Sequence, residues 1–255
     1  MKINGTFHFN LRLWYLCIDI CYKNVYLSMN CPRCHSSNHT KNGIVRGRQR
    51  YKCHDCGYNY SVETKSNAIP ISVKKQALQL YLEGLGFRPI GRFLGVSHVS
   101  VQKWIKKFGQ EAEGLKSENE ISIVEMDEMH TYIGNKKKYC WIWIAVNRIG
   151  KKFINCCFGS RGTETGQLLW EKLKNKNIRK VMTDHWRAYA EFIPENIHTQ
   201  SKAETYTVEG YNSILRHFLA RLRRKTKCYT KSFEMLKYSV LLLMKHRNKE
   251  LTILN

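Results

Sequence analysis

The sequence predicts a mixed α/β domain preceded by two small modules, a cysteine-stapled ribbon and a three-helix unit. Three observations carry this expectation. Two Cys-x-x-Cys pairs stand in residues 30–62, apolar residues recur at helical spacing through 70–109, and from Ile121 onward short apolar runs alternate with helical segments. The 255 residues are 43% hydrophobic, which suffices to bury a core and is too apolar for disorder throughout. Lys and Arg number 43 against 20 Asp and Glu, a formal charge of +23. That excess argues against an ordinary metabolic enzyme and for a polyanionic partner, nucleic acid before an anionic membrane.

Residues 1–29 read as an extension without an assigned role. Phe7 to Leu27 is apolar but broken by Arg12, Asp19 and Lys23. A spanning helix needs about 20 nearly uncharged residues, so no membrane span is expected. No small-residue cleavage site follows, and Met29, just ahead of the first cysteine pair, reads as an alternative start. The expected location is the cytoplasm.

The next block, 30–62, reads as a zinc ribbon. Cys31 and Cys34 are followed, after an 18-residue spacer, by Cys53 and Cys56. A two-residue gap lets both thiolates of a pair converge on one Zn²⁺, and four thiolates complete a closed, structural tetrahedron with no open position for water. Gly57 gives the turn after the second pair its backbone freedom. Two disulfides or free thiols are the alternatives, disfavoured in a segment too small for its own core. His35 and His54 stand by as spectators. Arg33, Lys41, Arg46, Arg48, Arg50 and Lys52 face one acid, Asp55, so the ribbon suits nucleic acid better than protein.

Residues 70–110 read as a helix-turn-helix. Val73–Glu83, Phe87–Leu94 and Ser97–Phe108 are the expected helices, with Gly95 at the chain reversal and Ser97 as the cap of the third. Val101, Trp104 and Ile105 turn inward on that helix. His98, Ser100, Gln102, Lys103 and Lys106 remain outward for groove edges and phosphates. A generic three-helix bundle shares this packing, but seven basic residues against one acid over 73–108 favour DNA. The polar stretch Glu111 to Glu120 reads as a linker.

Residues 121–250 carry the α/β pattern. Strands are expected at Ile121–Glu128, Tyr139–Asn147, Lys152–Gly159 and Ile178–Thr183. Helices are expected at Thr163–Asn175, with Leu168, Leu169 and Leu173 inward, and at about 207–224 and 231–249. Acids are scarce here, yet Asp127 ends the first strand, Asp184 ends the fourth, and Glu209 begins the helix after it. Carboxylates so placed can converge on hard divalent cations that support in-line displacement at phosphorus. Glu209, Asn212 and Arg216 fall on one helical face, so a carboxylate, an amide and a cation share one surface. Arg216, Arg221, Arg223, Arg224 and Lys225 then accumulate as candidate phosphate contacts. A solvated basic helix with Glu209 at the surface is the alternative reading of the same pattern.

Asp-Glu-Met-x-x-Tyr at Asp127, Thr-Asp-x-Trp at Asp184 and Glu-x-x-Asn-x-x-x-Arg at Glu209 add to the ribbon and helix-turn-helix. So does Leu219-Ala220-Arg221-Leu222 with its basic continuation to Lys231-Ser232. Together, in this order and over nearly the whole chain from residue 30, they resemble the insertion-sequence-one family of transposases. The resemblance implies an RNase H-like catalytic domain with an Asp-Asp-Glu triad, here Asp127, Asp184 and Glu209, using Mg²⁺ or Mn²⁺. It implies double-stranded DNA partners, the element's terminal inverted repeats and a target, with a homodimer or higher oligomer on paired ends at the nucleoid. Some relatives encode the two parts in overlapping frames, whereas here they form one continuous chain. A non-catalytic regulator that binds the same ends is the runner-up, and a structure-specific nuclease on the same fold is a third reading.

Overall fold

The structure is a computed structural model and describes residues 30–61, 68–112, 114–116 and 120–254, so the extension read at 1–29 lies outside the described residues. The chain divides into two compact units, 1–68 and 69–255.

In the first unit, β1 (His39–Val45), β2 (Arg48–Cys53) and β3 (Asn59–Tyr60) form a meander with both pairs antiparallel. Arg46 and Gly47 make the two-residue turn between β1 and β2, both at positive φ (51° and 74°), as a type I′ hairpin turn demands. Each cysteine pair closes a similar knuckle. The backbone N–H of His35 donates to the Cys31 carbonyl at 2.8 Å, and that of Gly57 to the Cys53 carbonyl at 3.0 Å. His35 tolerates at φ 60° the left-handed backbone that Gly57 takes without cost. His39 packs in T-shaped contact with Tyr51 and Tyr60, whose rings tilt 30° to each other, and with the cysteines this cluster stands in for a core.

The second unit begins with α1 (Ile71–Leu82), α2 (Phe87–Leu94) and α3 (His98–Glu111). Gly95 caps α2 in the left-handed conformation, and the Ser97 hydroxyl accepts the Val99 N–H at 3.2 Å to start α3. A five-stranded mixed sheet follows from β4 (Ile123–Tyr132), β5 (Tyr139–Asn147), β6 (Lys152–Gly159), β7 (Lys180–Thr183) and β8 (His198–Gln200). Its order is β6-β5-β4-β7-β8, with β5 antiparallel to β4 and β6, and β4, β7 and β8 parallel. This is the RNase H-like arrangement. Three residues of β8 carry too little periodicity to be read from sequence.

Strand alternation sends Glu125, Asp127 and Met129 to one face and Met126, Glu128 and His130 to the other. The first face is covered by α5 (Tyr206–Phe218) and α6 (Phe233–Arg247), the second by α4 (Thr163–Glu171) and a short 3-10 turn, Arg187–Glu191. Trp143 is fully buried in the second layer against Tyr189 and Phe192. On α4, Leu169 is buried and Leu173 just beyond is buried too, whereas Leu168, expected inward, is 60% exposed. The helix turns to solvent at that step because Thr165, Gly166, Leu169 and Trp170 already form its inward stripe.

One further expectation changes. The helix expected over 207–224 ends at Phe218, and Leu219 is extended before a 3-10 turn at Ala220–Leu222. The stretch expected as a linker joins segments 70–110 and 121–250 that pack against each other within the second unit. Leu78, Tyr81, Ile105 and Phe108 share one hydrophobic core with Leu236, Val240 and Leu243 of α6 and with the sheet. Gly109 makes this contact close, since a Cβ there would collide with the Tyr238 side chain. Apolar surface on α1 and α3 that a free three-helix unit would leave wet is thereby buried.

Candidate active site

Asp127 sits within β4 and not at its end, as the sequence had suggested; β4 runs on to Tyr132 in a hairpin with β5. What opens the site is β7, whose parallel pairing with β4 stops at Glu125 and Met182. One side of β4 is therefore bare at Asp127, and Asp184 emerges there directly after Thr183. The Asp184 carboxylate accepts the Trp186 backbone N–H at 2.9 Å, which fixes its direction.

Helix α5 crosses this opening. Its first turn is held by Glu125, which is fully buried and accepts the Val208 N–H at 2.9 Å and Arg148 Nε at 2.5 Å. Arg148 also bonds the Glu204 carboxylate at 2.6 Å and the Glu204 carbonyl, so the chain entering α5 is clamped to the sheet. From that fixed start Glu209, Asn212 and Arg216 point at Asp127. Asn212 Nδ2 donates to Asp127 Oδ2 at 2.5 Å, and the Thr205 hydroxyl to Glu209 Oε1 at 3.4 Å. Asp127, Asp184 and Glu209 line one cavity of about 250 Å³ with Arg161, Trp186 and Lys202. A larger groove of about 720 Å³ continues from Asp127 and Glu209 past Arg216, Arg223 and Arg224.

Burial, with the charges of Glu128 and Asp184 added to it, raises the Asp127 carboxyl to about 7. Burial and the neighbouring Arg224 hold Arg216 below the usual guanidinium range. Glu128 faces the other way. It accepts Arg161 at 2.9–3.0 Å and the Tyr189 hydroxyl at 2.6 Å, so its carboxylate is occupied. The donor set at Asp127 suits a hard cation. Three carboxylates border the cavity, and in the adjoining groove Asn212 Oδ1 is a buried acceptor without a partner among the described residues.

In the first unit the sulfurs of Cys31, Cys34, Cys53 and Cys56 all lie within 4.8 Å of one another. Cys31 and Cys56, and Cys34 and Cys53, are 3.5 Å apart. A disulfide would need about 2.05 Å, whereas a ZnS₄ tetrahedron with 2.3 Å bonds has edges of about 3.8 Å. The cluster therefore fits a zinc ion. Burial opposes ionisation of Cys31, but the backbone N–H groups of Cys34 and Arg33 and the Cys56 thiol bring it down to about 7.

The candidate DNA-contacting residues divide. His98, Gln102, Lys103, Arg46, Arg223, Arg224 and Lys225 are exposed, and Ser100, Arg48 and Arg50 are half-buried. Lys106 turns toward α6 and pairs with Glu234 at 3.0 Å. Arg221 is a correction. It is buried, donates from Nε to the Tyr81 hydroxyl at 2.8 Å, and stacks on the Tyr81 and Phe87 rings, so it ties the C-terminal segment to α1 and α2 and is not available to DNA. Sequence reasoning missed Arg148, Arg161 and Tyr189. The available signal was Glu125 and Glu128 themselves, since acids on a buried strand require partners.

Acids gathered where the central strands of an RNase H-like sheet part, beside a basic groove, mark an enzyme class that cuts and joins nucleic-acid backbones. The profile of the IS1 transposase family matches residues 121–248, half of the chain, and a homeodomain-like domain matches 70–116. The chain belongs to the IS1 transposase family and is a DNA transposase. It is 34% identical over 113 residues to the insertion element iso-IS1n protein InsB of Shigella dysenteriae, covering 44% of this chain and 86% of that protein. It is 36% identical over 115 residues to the insertion element IS1 4 protein InsB of Escherichia coli (strain K12), covering 45% and 69%. The catalytic core domain of BIV integrase overlaps 48% of this chain and 81% of its own at 15% identity and a TM-score of 0.34, too loose to bear on the site. Among the described residues no helix is long and apolar enough to cross a membrane.

Proposed function

We propose that this transposase binds the terminal inverted repeats of its insertion sequence through residues 30–62 and 70–110. It cuts those ends and joins them to target DNA through residues 121–250. The observation that carries the catalytic part is the single cavity bordered by Asp127, Asp184 and Glu209, continuous at Asp127 and Glu209 with the arginine groove. The three carboxylates are the ligands for Mg²⁺ or Mn²⁺, which would activate the attacking oxygen and stabilise the leaving one. Asn212 keeps the Asp127 carboxylate aimed into the cavity through its 2.5 Å bond. Arg216 offers its guanidinium to the scissile phosphate, and Arg223 and Arg224 extend that contact along the strand.

His98, Ser100, Gln102 and Lys103 on α3 read the duplex, and Arg46, Arg48, Arg50 and Lys225 neutralise phosphates. Cys31, Cys34, Cys53 and Cys56 hold Zn²⁺ as a structural ion. Pairing two ends calls for a homodimer or larger assembly, at work on the nucleoid in the cytoplasm. Asp127→Asn tests the reading. It should leave end binding intact in a mobility-shift assay and abolish divalent-cation-dependent cleavage of end-bearing DNA. Cleavage that survives Asp127→Asn, or that proceeds in chelator, would overturn it.

A further inference from the structure

We infer that Tyr139, His130, Trp141, Arg161 and Trp186 form a stacking platform for unpaired nucleobases of the DNA at the cut site. The inference rests on the transposase reading for its substrate and names a site that this reading leaves unused. On the sheet face beneath α4, Met126, Trp143 and Ala145 are buried, but the hairpin carries that face on past the helix. There the rings of the cross-strand pair His130 and Trp141 meet at a tilt of 48° with centroids 5.1 Å apart, and Tyr139, 64% exposed, lies edge-on 5.7 Å from His130. Arg161 continues the row, 4.7 Å from the Trp141 ring and 4.0 Å from that of Trp186.

This row is held rigid. Buried Glu128 grips Arg161 at two nitrogens and is itself fixed by Tyr189, while Trp186 Nε1 donates to the Arg161 carbonyl at 3.3 Å. The Arg161 side chain nevertheless stays 41% exposed. Scattered exposed aromatics are ordinary on a protein surface, but a continuous row locked around a guanidinium is not. Its surroundings select the occupant. Lys136, Lys137 and Lys138 stand exposed on the turn beside Tyr139, and the far end, Arg161 and Trp186, lines the cavity of the three carboxylates. Aromatic faces flanked by cations suit single-stranded DNA, because every base has a π face and every linkage a charge. Bases unpaired next to the cut would stack here while their phosphates pass the carboxylates.

The test uses the full chain with a twelve-residue oligodeoxythymidylate carrying one central 2-aminopurine, whose fluorescence falls on stacking. A duplex of the same length serves as control. Wild type should quench the single strand on binding. Tyr139→Ala and Trp186→Ala should each weaken single-strand binding about tenfold while duplex affinity holds, and Tyr139→Trp should restore quenching. Should Trp186→Ala fail to fold, the two exposed Tyr139 variants decide. Unchanged single-strand affinity in Tyr139→Ala, or an equal fall for the duplex, overturns the platform and leaves the strip to a protein partner. Asp127→Asn should bind the probe like wild type. A protein that never cleaves DNA yet quenches the probe through Tyr139 would thus sink the transposase reading and not the platform.

Discussion

Glu125, Asp127 and Glu128 stand within four consecutive positions of one strand and meet three environments. Glu125 is buried and spent on Arg148 and the start of α5, and Glu128 is spent on Arg161 and Tyr189. Asp127 accepts the Asn212 side-chain amide and faces the cavity. Removing one member of a buried ion pair costs about 3–5 kcal/mol, so Glu125→Ala should lose stability on that scale in urea unfolding, while Asp127→Asn stays within about 1 kcal/mol of wild type. The two arginines of the C-terminal segment should also part company. Arg221→Ala should lower the melting temperature and destabilise by about 2–4 kcal/mol, since a buried charge-assisted bond and two ring contacts go together. Arg224→Ala should leave the melting temperature in place and lower DNA affinity instead.

At the scale of elements, the ribbon and α5 are positioned by opposite means. The ribbon has three short strands and almost no apolar core, so with the Zn²⁺ proposed above the free energy of ion binding would be its folding energy. Cys53→Ser, or a strong chelator, should therefore expose 30–61 to protease while 69–255 keeps its circular dichroism. Loss of both together would contradict the division into two units. Helix α5 instead depends on a buried carboxylate placed under its first turn, where the helix dipole favours negative charge. The four-residue β7 contributes by ending early, because a longer strand would pair with β4 and close the cleft at Asp127.

On the scale of the whole molecule, the charge of +23 is unevenly used. Arg148, Arg161 and Arg221 are engaged in internal pairs, and Lys106 is tied to Glu234. Exposed Arg46, Lys103, Arg224 and Lys225 are among the cations proposed above to meet phosphates. Each phosphate neutralised adds a slope of about −0.9 to log affinity against log salt. Arg224→Ala should lower the measured slope by about one such step and Arg221→Ala by none, and equal slopes in both variants would show that Arg224 meets no phosphate. Burial of α1 and α3 against α6 also places the helix-turn-helix and the sheet in one compact unit with a shared core.

Much of this could be read from residue order alone. Cysteine spacing announced the ribbon, alternating and 3.6-residue patterns placed most strands and helices, and the spacing of Glu209, Asn212 and Arg216 put them on one face. These are local properties, set by backbone geometry over a few residues. Tertiary structure alone decided where β4 and β7 part, which acids of the Glu125 to Glu128 run were already engaged, and that Arg221 is internal. It also decided that 70–110 shares its core with α6. Each of these depends on which distant surfaces meet, and an arginine reads alike whether a phosphate or a buried tyrosine awaits it.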